Sequence, residues 1–348
     1  MNDLFDQNYC LKCLEQFINA PSPVSYYEKV NPLIESYAKQ LHQTAYFDKK
    51  HTGYICLEGE DNSKTVMIGA HLDTLGLMIR KIESDGTLRV RNLGGVCHAS
   101  IDNETVTIHT RSGKEYTGLY VCQSHSTHVF DDARSLPRNE TTMMISLDEN
   151  VHSKEEVLAL GIQNGDIVSI NPRFQTTENG YIKTRFIDDK AAVAVVFTVL
   201  KYLTENGLKP AYRTLFSFPH YEEISHGGSF LPPEVDEYVA IDIGLIGPGL
   251  NGNERAVSIC AKDAFTPYDQ NLTNKLVDLC EKNEISSAID VFFNYGTDAS
   301  AALRAGNNVA TAAFGMACWC SHGLERTHVK GLEETAKLLY AYLLASDN

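Results

Sequence analysis

Apolar residues recur at helical spacing over residues 4–19 (Leu4, Phe5, Leu11, Leu14, Phe17) and 27–42 (Val30, Leu33, Ile34, Tyr37, Leu41). A Pro-Ser-Pro segment at 22–24 separates the two stretches, so two helices are predicted to open the chain. YICLEG (54–59) and TVMIGAHLD (65–73) then read as strands, the second apolar enough to be buried and closed by polar residues. From about 77 to 180 the pattern changes to short alternating runs, GLMIRKI, TLRVRNL, ETVTIHT, EYTGLYV and DIVSINP, punctuated by Gly, Asn and Asp. Such runs predict a small barrel-like β module, with one short helix at SKEEVLALG.

After residue 186 the periodicity alternates between strand and helix. Helices are predicted over 189–205, 270–283 and 332–345, and strands at RTLFSFPH, YVAIDIG and AVSICAKD. Strands alternating with helices imply an α/β fold, a mostly parallel sheet covered by helices on both faces. Residues 1–76 and 183–348 therefore form one α/β domain, interrupted by a β-rich domain at 77–182. No internal repeat or low-complexity segment is visible.

Composition narrows the function classes. With 348 residues and 43% hydrophobic content the chain can bury a large core or two modest ones. A net charge of −15 argues against nucleic acid as a partner, because phosphate neutralisation needs clustered Lys and Arg. No window approaches the ~20 apolar residues of a bilayer crossing, and MNDLFDQNYCLKCLEQF lacks a basic leader followed by an apolar run, so no membrane association or export is expected. Nine scattered cysteines, an odd number without framework spacing, suit a reducing cytoplasm. Cys10 and Cys13 form a C-x-x-C, but they fall on the apolar face of a predicted helix and read as core residues rather than a redox pair.

Candidate chemistry sits where the predicted strands end. His71 and Asp73 close TVMIGA, Glu222 and Glu223 follow LFSFPH, Asp242 closes YVAI, and Asp188 and Asp189 sit just before the long helical run KAAVAVVFTVLKYL. Taken singly, Asp188 could be an N-cap, Glu222 and Glu223 a solvated loop pair, and His71 a core histidine. Taken together, clustered carboxylates and imidazoles are costly to bury unless cations compensate them, so a two-metal site is the economical reading. Mixed His and carboxylate donors suit Zn²⁺, Co²⁺ or Mn²⁺ better than Ca²⁺.

Six ordered motifs carry a resemblance: GAHLDTLG (69–76), RFIDDKAAV (185–193), YEEISHGGS (221–229), AIDIG (240–244), GTDAS (296–300) and SHGLERTH (321–328). The chain resembles the M42 metallo-aminopeptidases, the glutamyl-aminopeptidase and TET group, nearly from end to end. That resemblance implies a zinc-peptidase-like catalytic domain with two divalent ions per subunit, Zn²⁺ first among the candidates. It implies His71, Asp188, Glu223, Asp242 and His322 as ligands, with Asp188 bridging. Asp73 would orient the His71 imidazole, and Glu222 would be the general base for a hydroxide bridging the ions. Thr297 and Asp298 would line the substrate pocket, although capping of the helix ASAALRAG explains them equally.

The expected activity is removal of N-terminal residues from short peptides, in a dimer-built and typically twelve-subunit shell. Its inserted domain would serve subunit contacts and access. The alternatives are a hydrolase of an acylated amino acid or small amide on the same scaffold, and a catalytically silent assembly protein. The chain departs from the family pattern at Thr74, at Lys190 and after His322, where His322-Gly-Leu-Glu325 replaces the usual His-Ser-Pro-x-Glu and leaves His328 as a rival ligand.

Overall fold

The structure, a computed structural model, describes residues 4–347. Its larger part is built on a nine-stranded sheet. Along the sheet the order is Ala45–Phe47, Gly53–Leu57, Tyr212–Phe218, Asp61–Gly69, Glu237–Ile241, Ala310–Cys318, Val257–Lys262 and Ser287–Val291, and Gly244–Leu245 pairs beside Ala310–Cys318. Four adjacent strands at the centre, Tyr212–Phe218 through Ala310–Cys318, run parallel. The strand period of two sends Val66 and Ile68 to one face and Met67 to the other, each into its own apolar cluster.

The first face carries the larger core. Helix Ile187–Glu205 is buried on nearly every side and packs against Gln7–Asn19 and Val329–Leu344, as expected of a helix apolar all round. Cys10 and Cys13 are fully buried there, and burial pushes the Cys10 thiol up to about 12, which leaves it protonated and inert. The second face is thinner than the sequence suggests, covered chiefly by the short helix Asp298–Arg304 and loops.

Strands Gly76–Ile82, Leu88–Leu93, Met143–Leu147, Glu115–Cys122, Glu104–His109 and Ile167–Ile170 close into a six-stranded barrel around Leu77, Ile79, Val90, Ile108 and Ile145. Closure leaves no open sheet edge. The chain from Gln175 to Thr184 is not part of the barrel. Its second strand, Tyr181–Thr184, pairs with Glu325–His328 near the C-terminus. Buried Glu104, on the barrel, holds Arg173 at 2.6 Å and Arg185 at 2.9 Å, so the barrel is fastened to the chain three residues before Asp188.

Strands Ala45–Phe47, Ser287–Val291 and Ala310–Cys318 lie outside the predicted set. The last is central yet reads weakly because Ala fills four of its nine positions and Gly a fifth. A Cβ on Gly315 would lie 2.0 Å from the Asp242 carbonyl oxygen, so close backbone approach excludes the β-branched residues that mark strands. Among the described residues no helix is long and apolar enough to cross a membrane.

Candidate active site

The four central parallel strands deliver their following residues to one edge of the sheet. His71 lies two residues past Asp61–Gly69, Glu222 and Glu223 follow Tyr212–Phe218, Asp242 is one residue past Glu237–Ile241, and His322 comes four past Ala310–Cys318. Asp188 enters from the side, in the first turn of Ile187–Glu205, where its backbone is still extended (ψ 101°). The lone-N-cap reading of Asp188 therefore does not apply, since its carboxylate meets histidines rather than the helix amides.

Distances define the cluster. His71 Nε2 lies 3.0 Å from Asp188 Oδ1 and 3.6 Å from Glu222 Oε2. His322 Nε2 lies 3.5 Å from both Asp188 Oδ2 and Glu223 Oε2. Both imidazoles donate through Nδ1 to a carbonyl oxygen, His71 to Asp73 at 3.0 Å and His322 to Gly95 at 2.9 Å, which turns each Nε2 toward the carboxylates. His328 is elsewhere: its Nε2 donates to the Asn179 carbonyl and its Nδ1 caps the last helix at Lys330 N.

Asp73 is fully buried and ties two arms together. Its carboxylate accepts the Glu222 and Glu223 amides, each at 3.1 Å, and lies 3.5 Å from the His71 ring. Those amides belong to a single 3₁₀ turn flanked by Tyr221 and Ser225, both in the left-handed region (φ 78° and 62°). Glu222 keeps 12% of its side chain exposed and Glu223 3%, so the adjacent carboxylates differ in access to the cavity.

Asp189 and Glu325, visible in the motifs but without a role assigned from them, complete the setting. Glu325 is buried and accepts the Asp188 amide at 3.1 Å; Asp189 accepts the His71 amide at 3.1 Å through one oxygen, while its other is buried without a partner. Each acts on a backbone group more than a hundred positions away, a relation no local motif displays. Lys190, also fully buried, donates to the Phe17 and Ala20 carbonyls, and burial lowers it to about 7.

Thr297 and Asp298 lie behind the cavity wall. Thr297 accepts the Ala299 amide and caps Asp298–Arg304, and its hydroxyl lies 2.7 Å from that of Tyr268. Asp298 accepts the Gly228 amide at 2.6 Å and leaves its second oxygen buried and unpartnered. The capping explanation thus accounts for Thr297, and the neighbouring Gly296 is the residue that reaches the cavity.

The electrostatics describe a site short of positive charge. Burial, and then the facing carboxylates, hold Glu222 well above its ordinary range and push Glu223 up to about 8 and Asp242 up to about 7. Burial would lower the histidines, but Asp188 and its neighbours outweigh it, raising His71 strongly and His322 to about 10. Burial likewise acts upward on Asp188, where hydrogen bonds from His322 and His71 prevail and hold it below the carboxylate range.

The donor chemistry fits divalent metal. Donor atoms of His71, Asp188 and Glu223 lie within 4.8 Å of one another, as do those of Asp188, Asp189 and Asp242. Asp188 is common to both groups, and the orphaned Asp189 oxygen is a second sign of missing positive charge. The cluster opens on a cavity of about 600 Å³.

Residues 52–338 match the family model described as M42 glutamyl aminopeptidase. The chain is 40% identical, over 335 residues covering 96% of both sequences, to YhfE of Bacillus subtilis (strain 168), a protein carrying an aminopeptidase name. Two solved structures share the fold. One is aminopeptidase APDkam598 from the archaeon Desulfurococcus kamchatkensis, at 24% identity, TM-score 0.87 and coverage of 98% of this chain and 96% of that one. The other is the Pyrococcus horikoshii TET1 peptidase, at 24% identity, TM-score 0.85 and coverage of 97% and 100%. The chain therefore belongs to the M42 glutamyl aminopeptidase family and is a peptide hydrolase of the aminopeptidase class.

Proposed function

We propose that this chain removes N-terminal residues from short peptides at a centre of two divalent ions, with Glu222 as general base. The observation that carries the reading is the sharing of Asp188 between two groups of metal-competent donors. His71, Glu223, Asp242 and His322 would complete the protein ligands of the two ions beside Asp188, with Zn²⁺, Co²⁺ or Mn²⁺ suited to that donor set. Bound there, the ions supply Lewis-acid polarisation of the peptide carbonyl and acidify a water molecule.

The protein's own groups do the rest. Glu222, the more exposed of the two adjacent glutamates, takes the proton from the attacking water and returns it to the leaving amine. Compensation of the cluster by cations lowers its pKa, so that it is ionised when it must accept. Asp73 fixes the backbone that carries Glu222 and the ring of His71 together, so base and ligand hold one spacing. A free α-amino group, being cationic, is received among the carboxylates, and a cavity of about 600 Å³ has room for a few residues of an extended peptide.

The TET1 peptidase of Pyrococcus horikoshii can assemble into a tetrahedron or a large octahedral shell. A comparable assembly of this chain, built from dimers with the barrel at contacts, would restrict access to small peptides. Nine free cysteines suit a reducing cytoplasm.

The test combines metal content with a panel of amino-acid amides for wild type and Glu222→Gln. Two ions per chain in both proteins, with activity in the variant lower by at least about two orders of magnitude, is the expected result. Full activity in Glu222→Gln overturns the mechanism, and hydrolysis of acetylated in preference to free peptides overturns the aminopeptidase assignment.

A further inference from the structure

We propose that this enzyme selects N-terminal residues with uncharged, apolar side chains, and that Phe265 and Phe293 are the residues that set the preference. The inference rests on the two-ion aminopeptidase reading and adds the substrate class to it.

Away from the carboxylate cluster, the apolar part of the cavity wall is formed by Ile243, Leu245, Ala264, Phe265, Phe293 and Tyr295, and its polar members there, Ser225, Asn294 and Ser321, are uncharged. Among the described residues, no Lys or Arg lines the cavity, and its carboxylates are Asp188, Glu222, Glu223 and Asp242, all in the cluster. An acidic side chain would meet this wall without a cation to pair with. A basic one would find no carboxylate free of the cluster. Asp263, next to the wall, is turned inward, where it accepts the Phe265 and Thr266 amides and the Tyr268 hydroxyl and is fully buried. Lys262 is likewise engaged, donating to the Asp263 carbonyl at 2.6 Å. Placing an unpaired charge against such a surface is unfavourable, whereas an aliphatic or aromatic side chain gains from leaving water.

The two phenylalanines are well suited to this. Phe265 is 51% and Phe293 75% exposed, so both present aromatic surface that a bound side chain would cover. The backbone segments that carry them are tied together, and the Phe265 ring is itself held. The Ala264 amide donates to the Tyr295 carbonyl at 2.8 Å and the Phe292 amide to the Lys262 carbonyl at 2.8 Å, which joins the two wall loops. The Phe265 ring lies so close to Gly296 that a Cβ there would come within 2.4 Å, and the Arg304 guanidinium sits 4.3 Å from the ring centroid. Arg304 is engaged by that ring and does not line the cavity.

The test uses metal-loaded, full-length enzyme and free amino-acid amides of Leu, Phe, Ala, Glu and Lys. The expected kcat/KM for the Leu and Phe amides exceeds that for Glu and Lys by at least about tenfold, the discrimination an apolar pocket provides. In Phe265→Ser and Phe293→Ser the Leu-to-Ala ratio of kcat/KM should fall by about tenfold, mainly through KM, and Phe265→Leu should restore it. Equal or faster hydrolysis of the Glu or Lys amide sinks the specificity proposal while leaving the aminopeptidase reading intact, as does an unchanged Leu-to-Ala ratio in both Ser variants. Failure of the loaded enzyme on every free amide overturns the underlying reading and the proposal together.

Discussion

His71 and His322 face the same carboxylate, Asp188, from regions of opposite character. His71 stands two residues beyond a central strand, its ring 2% exposed, with its amide held by Asp189 and its Nδ1 by the Asp73 carbonyl, all within the α/β portion. His322 stands at the end of a longer excursion, in the left-handed region at φ 45°, with its side chain 35% exposed. Its Nδ1 partner is the Gly95 carbonyl, in the connection between barrel strands Leu88–Leu93 and Glu104–His109. Gly94 makes that connection possible: at φ 80°, with a Cβ position 2.6 Å from Leu75 Cδ2, it accepts no other residue without displacement. One half of the site is thus set by the sheet, and the other is completed by the inserted barrel.

The sharpest way to break this comparison is to remove the residue both halves share. Asp188→Asn should abolish binding of both ions and reduce activity below that of Glu222→Gln, because an amide neither bridges nor balances cations. Retention of one tightly held ion, measured by elemental analysis after dialysis, would mean the halves are independent. Next comes His322→Ala. It should leave one ion bound and weaken the other by more than the ~100-fold that loss of an outer-sphere partner can cost, whereas His328→Ala should leave both, since His328 is committed to the Asn179 carbonyl and the last helix.

Protonation provides a third test, of the whole cluster rather than either half. Without metal, Asp242 is held up to about 7 and Glu223 to about 8, chiefly by burial, so between the ordinary carboxylate range and those values the folded state binds more protons than the unfolded state. Raised His71 and His322 act in the same direction: their contribution is complete below ~6.5 and is lost as pH climbs through the folded values, about 10 for His322. Depressed Asp188 acts oppositely only below ~4, while lowered His220 (about 4) opposes up to ~6.5 and lowered Lys190 (about 7) opposes above ~7, each outnumbered at those pH values by the raised carboxylates and histidines. Chelated protein should therefore lose thermal stability from pH 5.5 to 8, and saturating Zn²⁺ should flatten the profile. A chelated Tm that rises over this interval contradicts the description of the cluster as short of cations.

The same division governs how much the sequence disclosed. Long helices such as Ile187–Glu205 and Val329–Leu344 were legible because apolar residues fill their buried faces, and the strand-end positions of His71, Glu222, Glu223 and Asp242 followed from the strands themselves. Ala310–Cys318 was not legible, because alanine fills four of its nine positions and the approach of Asp242 demands glycine at 315. Nor were the parts played by Glu325, Asp189 and the Gly95 carbonyl, whose partners are distant backbone groups or a distant ring. Side-chain chemistry announces itself in a sequence; a carbonyl that orients an imidazole does not, since every residue has one.

That contact gives the smallest and most discriminating prediction. In Gly95→Ala a methyl group would lie 3.0 Å from His322 Nδ1 and 3.2 Å from its Cε1, tighter than ordinary contact, so the ring must shift by a few tenths of an ångström while the fold has no reason to change. Among the described residues, no glycine stands in the same relation to His71. The expected outcome is a loss of affinity for one ion of up to about tenfold, within the range seen when an outer partner of a ligating histidine is disturbed, with the other ion unaffected. Titration calorimetry of the metal-free variant separates the two events. If both ions weaken equally, the barrel connection acts on the site as a whole rather than through His322. If neither changes, the Gly95 carbonyl is a neighbour of the ring and not its anchor.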